Sequence, residues 1–181
     1  MILLDPDQPE AANGFPQLSS SISATTGAQG QAALPSQRTL TRYLREAQCA
    51  VGLRGEVSVM LTTDNGIRSL NRRFRKKNKA TDVLSFPIDD PTYGQAGDLA
   101  ISVETAVRQA EQQGHRLTIE LRVLMLHGIL HLAGYDHEAD KGEMAAREQS
   151  LRARLRLPQG LIERVTTPTG KARKPAKGSK R

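Results

Sequence analysis

The sequence has one cysteine, no tryptophan and no apolar stretch as long as a membrane-spanning helix. Cys49 has no second cysteine to pair with, which excludes an intrachain disulfide and agrees with a reducing compartment. No run approaches the ~20 apolar residues that a transmembrane helix needs, and the mean hydropathy is −0.47. The first residues carry no basic group and are followed by Asp5, unlike a signal peptide. We therefore expect a cytoplasmic protein with no membrane segment.

Acidic residues are missing from the two stretches in which basic residues concentrate. Residues 171–181 hold six positive charges and no acid, and the first 170 residues then have a net charge of only +1. Polyanion binding is the leading interpretation of this tail, and a solvated tail that aids solubility is the alternative. Residues 68–79 contain seven basic side chains and no acid to pair with them along a helix. This second cluster favours a phosphate-binding surface over a merely solvated face.

Large apolar side chains are scarce in residues 6–36, which are rich in Ser, Thr, Ala, Gln, Gly and Pro. Such a segment cannot bury enough surface to offset the entropy lost on ordering. We therefore predict three parts. An N-terminal segment, 1–36, holds a short first strand and is otherwise polar and disordered. A folded domain spans 37–160, and a basic disordered tail spans 161–181.

Hydrophobic periodicity and capping residues predict an α+β domain, with a small mixed sheet and about five helices. Strands are predicted at 2–5, 56–62, 82–86 and 97–102. Helices are predicted at 37–50 after Ser36, at 64–74 capped by Asp64, at 103–113 capped by Ser102, from 118 onward, and from Asp140 to about 155. The helix from Thr118 is apolar around almost its whole circumference, so it should be the buried central helix. His115, in the loop before it, is interpreted as a surface residue.

Three of the four histidines lie in residues 127–137, with the spacing His-x-x-x-His-x-x-Gly-x-x-His. His127 and His131 are one helical turn apart and present their imidazoles on one face. Gly134 can adopt a left-handed conformation that ends the helix and returns His137 to the same point. Three imidazoles with an open fourth position are the ligand set of a catalytic zinc site.

The same spacing occurs in metzincin peptidases, but Gly128 stands where those enzymes have a glutamate base. The metal must therefore activate water alone, or with help from Asp136, Asp98 or the substrate itself. Of these, Asp136 is better interpreted as a residue that orients an imidazole. Ser85 is a candidate pocket residue, although a buried strand hydroxyl is the favoured interpretation.

With these motifs the chain resembles the YbeY family of bacterial metal-dependent endoribonucleases. The resemblance rests on the histidine motif, on residues 70–87 (Leu-Asn, Phe-Arg and Thr-Asp-Val-Leu-Ser-Phe-Pro) and on residues 97–102 (Gly-Asp-Leu-x-Ile-Ser). It implies one zinc ion on His127, His131 and His137, with other divalent metals open, and a functional basic residue at Arg75. It also implies cleavage of single-stranded RNA in 16S rRNA 3′-end maturation, action in ribosome quality control, and the small ribosomal subunit as partner.

The residues leave two other functions open. A peptidase-like zinc hydrolase shares the ligand spacing, but it lacks the glutamate and has no use for the basic cluster. A non-catalytic ribosome-binding metalloprotein would explain the charge, yet it would need a fourth protein ligand to close the metal site. Cleavage assays with RNA and with peptide distinguish the three functions.

Overall fold

Nine elements of secondary structure were found in the computed structural model, which describes residues 1–4, 34–88, 94–137 and 140–159. The strands are β1 (Ile2–Leu4), β2 (Glu56–Thr62), β3 (Val83–Pro87) and β4 (Gln95–Ser102). The helices are α1 (Gln37–Val51), α2 (Asp64–Arg75), α3 (Val103–Gln113), α4 (Leu117–Leu132) and α5 (Glu143–Arg154). Each predicted helix and strand is present, and its bounds agree to within about three residues, the largest difference being the start of the last helix at Glu143.

The strands form one mixed sheet in the order β1-β2-β4-β3. Strands β1, β2 and β4 are parallel, whereas β3 is antiparallel to β4 and forms an edge. Leu99 of β4 pairs with Val59 on one side and with Ser85 on the other. The predicted α+β class with a small mixed sheet is confirmed.

The sheet separates two layers of helices. The main core joins α1 and α4 to the inward side chains Val57, Val59 and Leu61 of β2. On the opposite face, Ile67 of α2 packs with Leu84 and Ala100 and with other partly buried side chains. Alternate residues along each strand thus serve opposite layers. Helix α4 has eleven buried residues, which confirms it as the central helix.

The capping predictions hold for two helices and are corrected for two others. The hydroxyls of Ser36 and Ser102 accept hydrogen bonds from the third helical amide of α1 and α3. In α2 the N-cap is Thr63, and Asp64 is the first helical residue. In α5 the N-cap is Gly142, but the Asp140 carboxylate still accepts from the Gly142 and Met144 amides. A carboxylate that precedes the helix therefore satisfies the exposed amides at its start.

The prediction that His115 lies on the surface is wrong. Its side chain is only 12% exposed, and its Nε2 lies 2.6 Å from the carboxylate of fully buried Glu120. The two residues join the start of α4 to the preceding loop, and the imidazole gives the buried carboxylate a hydrogen-bond partner.

The predictions made for residues 6–33 and for the tail 161–181 lie outside the described residues. Within the described ranges, no helix combines the length and apolar character that crossing a membrane requires.

Candidate metal centre

The three histidines of the sequence motif come together at the end of α4. The Nε2 atoms of His127 and His131 are 3.2 Å apart, because the two residues lie one turn apart on the same side of the helix. Gly134 has φ +89°, so the chain turns in the left-handed conformation that glycine favours. This turn brings the His137 ring centroid to within 5.1 Å of that of His131 and 5.6 Å of that of His127.

The cluster suits a divalent metal ion. One ligand atom from each histidine lies within 4.8 Å of the others, and no second group of this kind occurs among the described residues. Tetrahedral zinc with bonds of about 2.0–2.1 Å requires nitrogens about 3.3 Å apart, close to the 3.2 Å that separates His127 from His131. The set can hold a metal ion through three imidazoles, as the sequence predicts.

Electrostatics favours imidazoles that are ready to bind a cation. Burial, together with the neighbouring His127 and His137, lowers the pKa of His131 to about 4. At neutral pH its ring is therefore uncharged and has a lone pair available. A hydrogen bond to the Tyr135 backbone and the nearby Asp136 carboxylate act in the opposite direction, but burial outweighs them.

Sequence reasoning missed a buried carboxylate behind the first ligand. Glu148 of α5 places Oε2 3.0 Å from Nδ1 of His127, and its Oε1 accepts two hydrogen bonds from Arg152. Burial alone would raise the pKa of Glu148, but its hydrogen bond with His127 and the charges of His127 and Arg152 lower it. The sequence does contain one signal of this contact. Glu148 is an acid one helical turn after Met144, and so it lies on the apolar face of the last predicted helix. The residue that holds the His127 imidazole is Glu148. The hypothesis that Asp136 orients an imidazole stays a prediction.

The absence of a glutamate at position 128 has a steric cause. A Cβ atom on Gly128 would lie 2.7 Å from Cδ2 of Leu99, far closer than van der Waals contact. The glycine therefore lets α4 lie directly on β4, and a side chain there would point into the sheet. Ser85 is buried and donates a hydrogen bond to the Gly128 carbonyl at 3.3 Å, which supports its structural interpretation.

Arg75 lies in the last turn of α2, exposed, on the face of the sheet opposite α4. Among the described residues it makes no direct contact with the histidines. A series of contacts through the edge strand β3 connects the two regions. Phe74 packs edge-on against Phe86 of β3, with the two ring centroids 5.1 Å apart. Gly97 of β4 lies close to both the Phe86 carbonyl and the Leu132 side chain, so close that a Cβ atom on Gly97 would clash with both. Leu132 directly follows His131, so these contacts link the end of α2 to the end of α4.

A cavity of about 290 Å³ lies beside α2, and two members of the basic cluster 68–79, Arg68 and Arg72, are in its lining. Its lining contains side-chain donors and no acid: Asn65, Arg68, Ser69, Arg72 and Asn78. Two hydrogen bonds hold the loop that closes it, from Arg68 to Asn78 at 2.8 Å and from buried Asn71 to the Lys79 carbonyl at 2.7 Å. Arg68 and Arg72 therefore place two cations on the wall of this cavity.

Comparisons with known proteins show the family of this chain. The family model described as endoribonuclease YbeY matches residues 25–156. Endoribonuclease YbeY of Koribacter versatilis is 56% identical over 140 residues, which cover 77% of this chain and 90% of that protein. Its counterpart in Solibacter usitatus is 50% identical over 126 residues, which cover 70% and 84%. The solution structure of TM1509 from Thermotoga maritima has a TM-score of 0.48 and 28% identity, and the match covers 67% of this chain and 85% of that one. On the extent of the family match, the chain belongs to the YbeY endoribonuclease family.

Proposed function

We propose that this protein is a zinc-dependent endoribonuclease that cleaves single-stranded RNA. The observation that carries the proposal is the convergence of His127, His131 and His137 in a chain that also bears an acid-free basic surface. The similar proteins from Koribacter and Solibacter are named endoribonucleases. Three nitrogen ligands suit zinc, and the fourth position is left for water or substrate. The biological substrate we propose is the 3′ end of 16S rRNA, with the small ribosomal subunit as partner in maturation and quality control.

The chemistry divides between the bound ion and the chain's own residues. A divalent ion on three imidazoles supplies water activated for attack at neutral pH. His127, His131 and His137 hold the ion, and the fixed turn at Gly134 sets the position of the third ligand. Arg75 neutralises the negative charge that develops on the phosphate, since a guanidinium can donate two hydrogen bonds to it.

Single-stranded RNA fits the surface that leads to this site. The cavity between Arg68 and Arg72 offers donors for a backbone phosphate. Phe74 is 56% exposed, with the Arg73 guanidinium 5.3 Å from its ring centroid. An exposed ring among cations offers a surface on which an unpaired base can stack. A duplex has no unpaired base to place there. We infer that the strand runs from the cavity past Phe74 to the β3 edge, where Arg75 and the histidines act on the same phosphate.

The experiment compares RNA binding with RNA cleavage in the His131→Ala variant. We expect near-normal affinity in a gel-shift titration, because the basic surface is intact, and loss of cleavage, because one metal ligand is gone. Glu143→Ala, at an exposed position on α5, is the control and should behave like the wild type in both assays.

Two outcomes would contradict the proposal. Undiminished cleavage by His131→Ala would indicate a contaminating nuclease and favour the non-catalytic binding protein. Metal-dependent cleavage of a peptide substrate, with RNA left intact, would favour the peptidase-like hydrolase.

A further inference from the structure

Two charged residues are buried together on α5, one turn apart. Glu148 is 8% exposed and Arg152 is 4% exposed. Removing two charges from water carries a large free-energy penalty before their attraction is counted. A well-packed apolar pair would serve the core at least as well, so stability alone does not account for these residues.

Their hydrogen bonds divide the two carboxylate oxygens of Glu148 between two partners. Arg152 donates to Oε1 through Nε at 2.9 Å and also through a terminal nitrogen, and another of its nitrogens lies 3.5 Å from the Pro158 carbonyl. The other oxygen, Oε2, is left for Nδ1 of His127 at 3.0 Å. Arg152 thus fixes the direction in which the carboxylate faces the histidine.

This arrangement determines where the proton sits on His127. A carboxylate paired with a guanidinium is ionised and can only accept hydrogen bonds. His127 must therefore donate from Nδ1, which leaves the lone pair on Nε2. That Nε2 is the atom that faces Nε2 of His131 at 3.2 Å.

We propose that Glu148 is a positioning residue that locks His127 in its Nδ1–H tautomer and orientation for metal binding, and that Arg152 acts on the metal site only through Glu148. The inference rests on the metal centre of the proposed function. A partner behind a metal-binding histidine typically changes metal affinity by about 10–100-fold when it is removed. Helix α5 therefore takes part in the metal site although it provides no ligand.

The first test needs no mutation. Long-range ¹⁵N–¹H NMR spectra of the metal-free wild-type protein report which ring nitrogen of each histidine carries the proton. We expect His127 to be protonated at Nδ1. Protonation at Nε2 would overturn the proposal, whatever the variants do.

The second test measures Co²⁺ and Zn²⁺ affinity by competition with a chromophoric chelator, together with the visible spectrum of the Co²⁺ protein. Glu148→Ala should weaken binding about 10–100-fold. Glu148→Gln should weaken it less, because the amide oxygen can still accept from Nδ1. Glu143→Ala, on the same helix but exposed, is the matched control and should bind as the wild type does.

A double-mutant cycle tests the role of Arg152. Arg152→Met should weaken metal binding in the wild-type background and have no further effect in the Glu148→Ala background. Additive losses would overturn the claim that Arg152 acts through Glu148. Wild-type affinity in Glu148→Ala, with a wild-type Co²⁺ spectrum, would overturn the positioning role. If the wild type itself bound neither metal, the proposed metal centre would fail first, and the tautomer of His127 would still test the hydrogen-bond argument separately.

Discussion

Gly128 shows how one missing side chain sets the distance between the metal-binding helix and the sheet. Its position one residue after His127 points it toward β4, where Leu99 occupies the space that a Cβ would need. The carboxylate base of metzincins therefore has no equivalent at this position, and α4 gains a close approach to the sheet instead.

Replacing Gly128 by alanine should destabilise the fold. Alanine is favoured over glycine in a helix by about 1 kcal/mol, but forcing a methyl into a packed core costs about 1–3 kcal/mol. The second effect should win because Leu99 is only 1% exposed and has little room to move. Denaturant unfolding of the metal-free protein measures the difference.

The companion variant Leu99→Ala supplies the control for this prediction. Once the leucine side chain is gone, Gly128→Ala should become neutral or stabilising, since only the helix preference remains. An equal loss of stability in both backgrounds would show that Leu99 is not the obstacle.

Arg75→Ala should slow RNA cleavage more than it weakens RNA binding. The guanidinium is one of seven basic side chains in residues 68–79, so the others preserve affinity. Charge stabilisation is worth most in the transition state, where the phosphate is most negative. Single-turnover rates at saturating RNA, beside gel-shift affinities, provide the comparison. A larger loss in affinity than in rate would make Arg75 a docking residue only.

The histidine site was predictable because its geometry is local. Two ligands one helical turn apart and a third after a glycine turn need no knowledge of the rest of the fold. Glu148 lies twenty-one residues beyond His127, and its contact depends on how α5 packs against α4. Tertiary packing of that kind leaves only a weak trace in the sequence. The same holds for His115, whose loop position gave no indication of its buried partner Glu120.

At the scale of elements, the N-terminus of α2 is joined to α3 through two carboxylates, that of Asp64 and that of Glu104, which accepts from the Asp64 amide at 2.7 Å. Asp64 accepts hydrogen bonds from Ser102, from Thr105 at 2.7 Å and from Arg108 at 2.7 Å. Burial alone would raise the pKa of Asp64, but these hydrogen bonds and the charge of Arg108 lower it below its ordinary value of 3.8. The sequence predicted Asp64 as an end cap of one helix, and the structure shows a link between two.

Asp64→Asn should therefore lower the melting temperature in a pH-dependent way. A carboxylate whose folded pKa is lowered stabilises the protein fully above the pKa of the unfolded state, and the benefit is lost as pH falls through the folded value. The difference between wild type and variant should be constant above about pH 5 and shrink below pH 3.8. Melting curves recorded from about pH 3 to about pH 7 provide the measurement. A difference that grows on acidification would contradict the assigned direction.

At the scale of the whole molecule, hydrophobic periodicity predicted the types of the elements and their order along the chain. It did not predict the order of the strands within the sheet. The sequence contains the alternation of β2 and the apolar run of α4, yet it does not state that β4 lies between β2 and β3. That order depends on non-local pairing, which places the histidine cluster on one face of the sheet and the basic cluster on the other. The proposed route of RNA to the β3 edge is therefore a consequence of topology.

The basic tail, 171–181, and the basic cluster, 68–79, should contribute differently to RNA binding. Removing residues 171–181 takes away six charges and should weaken binding mainly at low salt. Cleavage at saturating RNA should be unchanged, because the tail is proposed to attract RNA without positioning it. Arg68→Ala with Arg72→Ala should instead reduce cleavage of long single strands at every salt concentration, since the cavity is proposed to position a phosphate.

The salt dependence of affinity separates these cases. Each lost phosphate contact should reduce the slope of log affinity against log salt by about 0.7 for a single strand. Arg38→Ala with Arg45→Ala, two exposed positions on α1, is the matched control because it removes the same charge elsewhere. If the control lowered cleavage as much as the cavity variant, net charge alone would explain binding and the cavity would have no special role. If the tail-less protein lost cleavage even at saturating RNA, the tail would have to be part of the site.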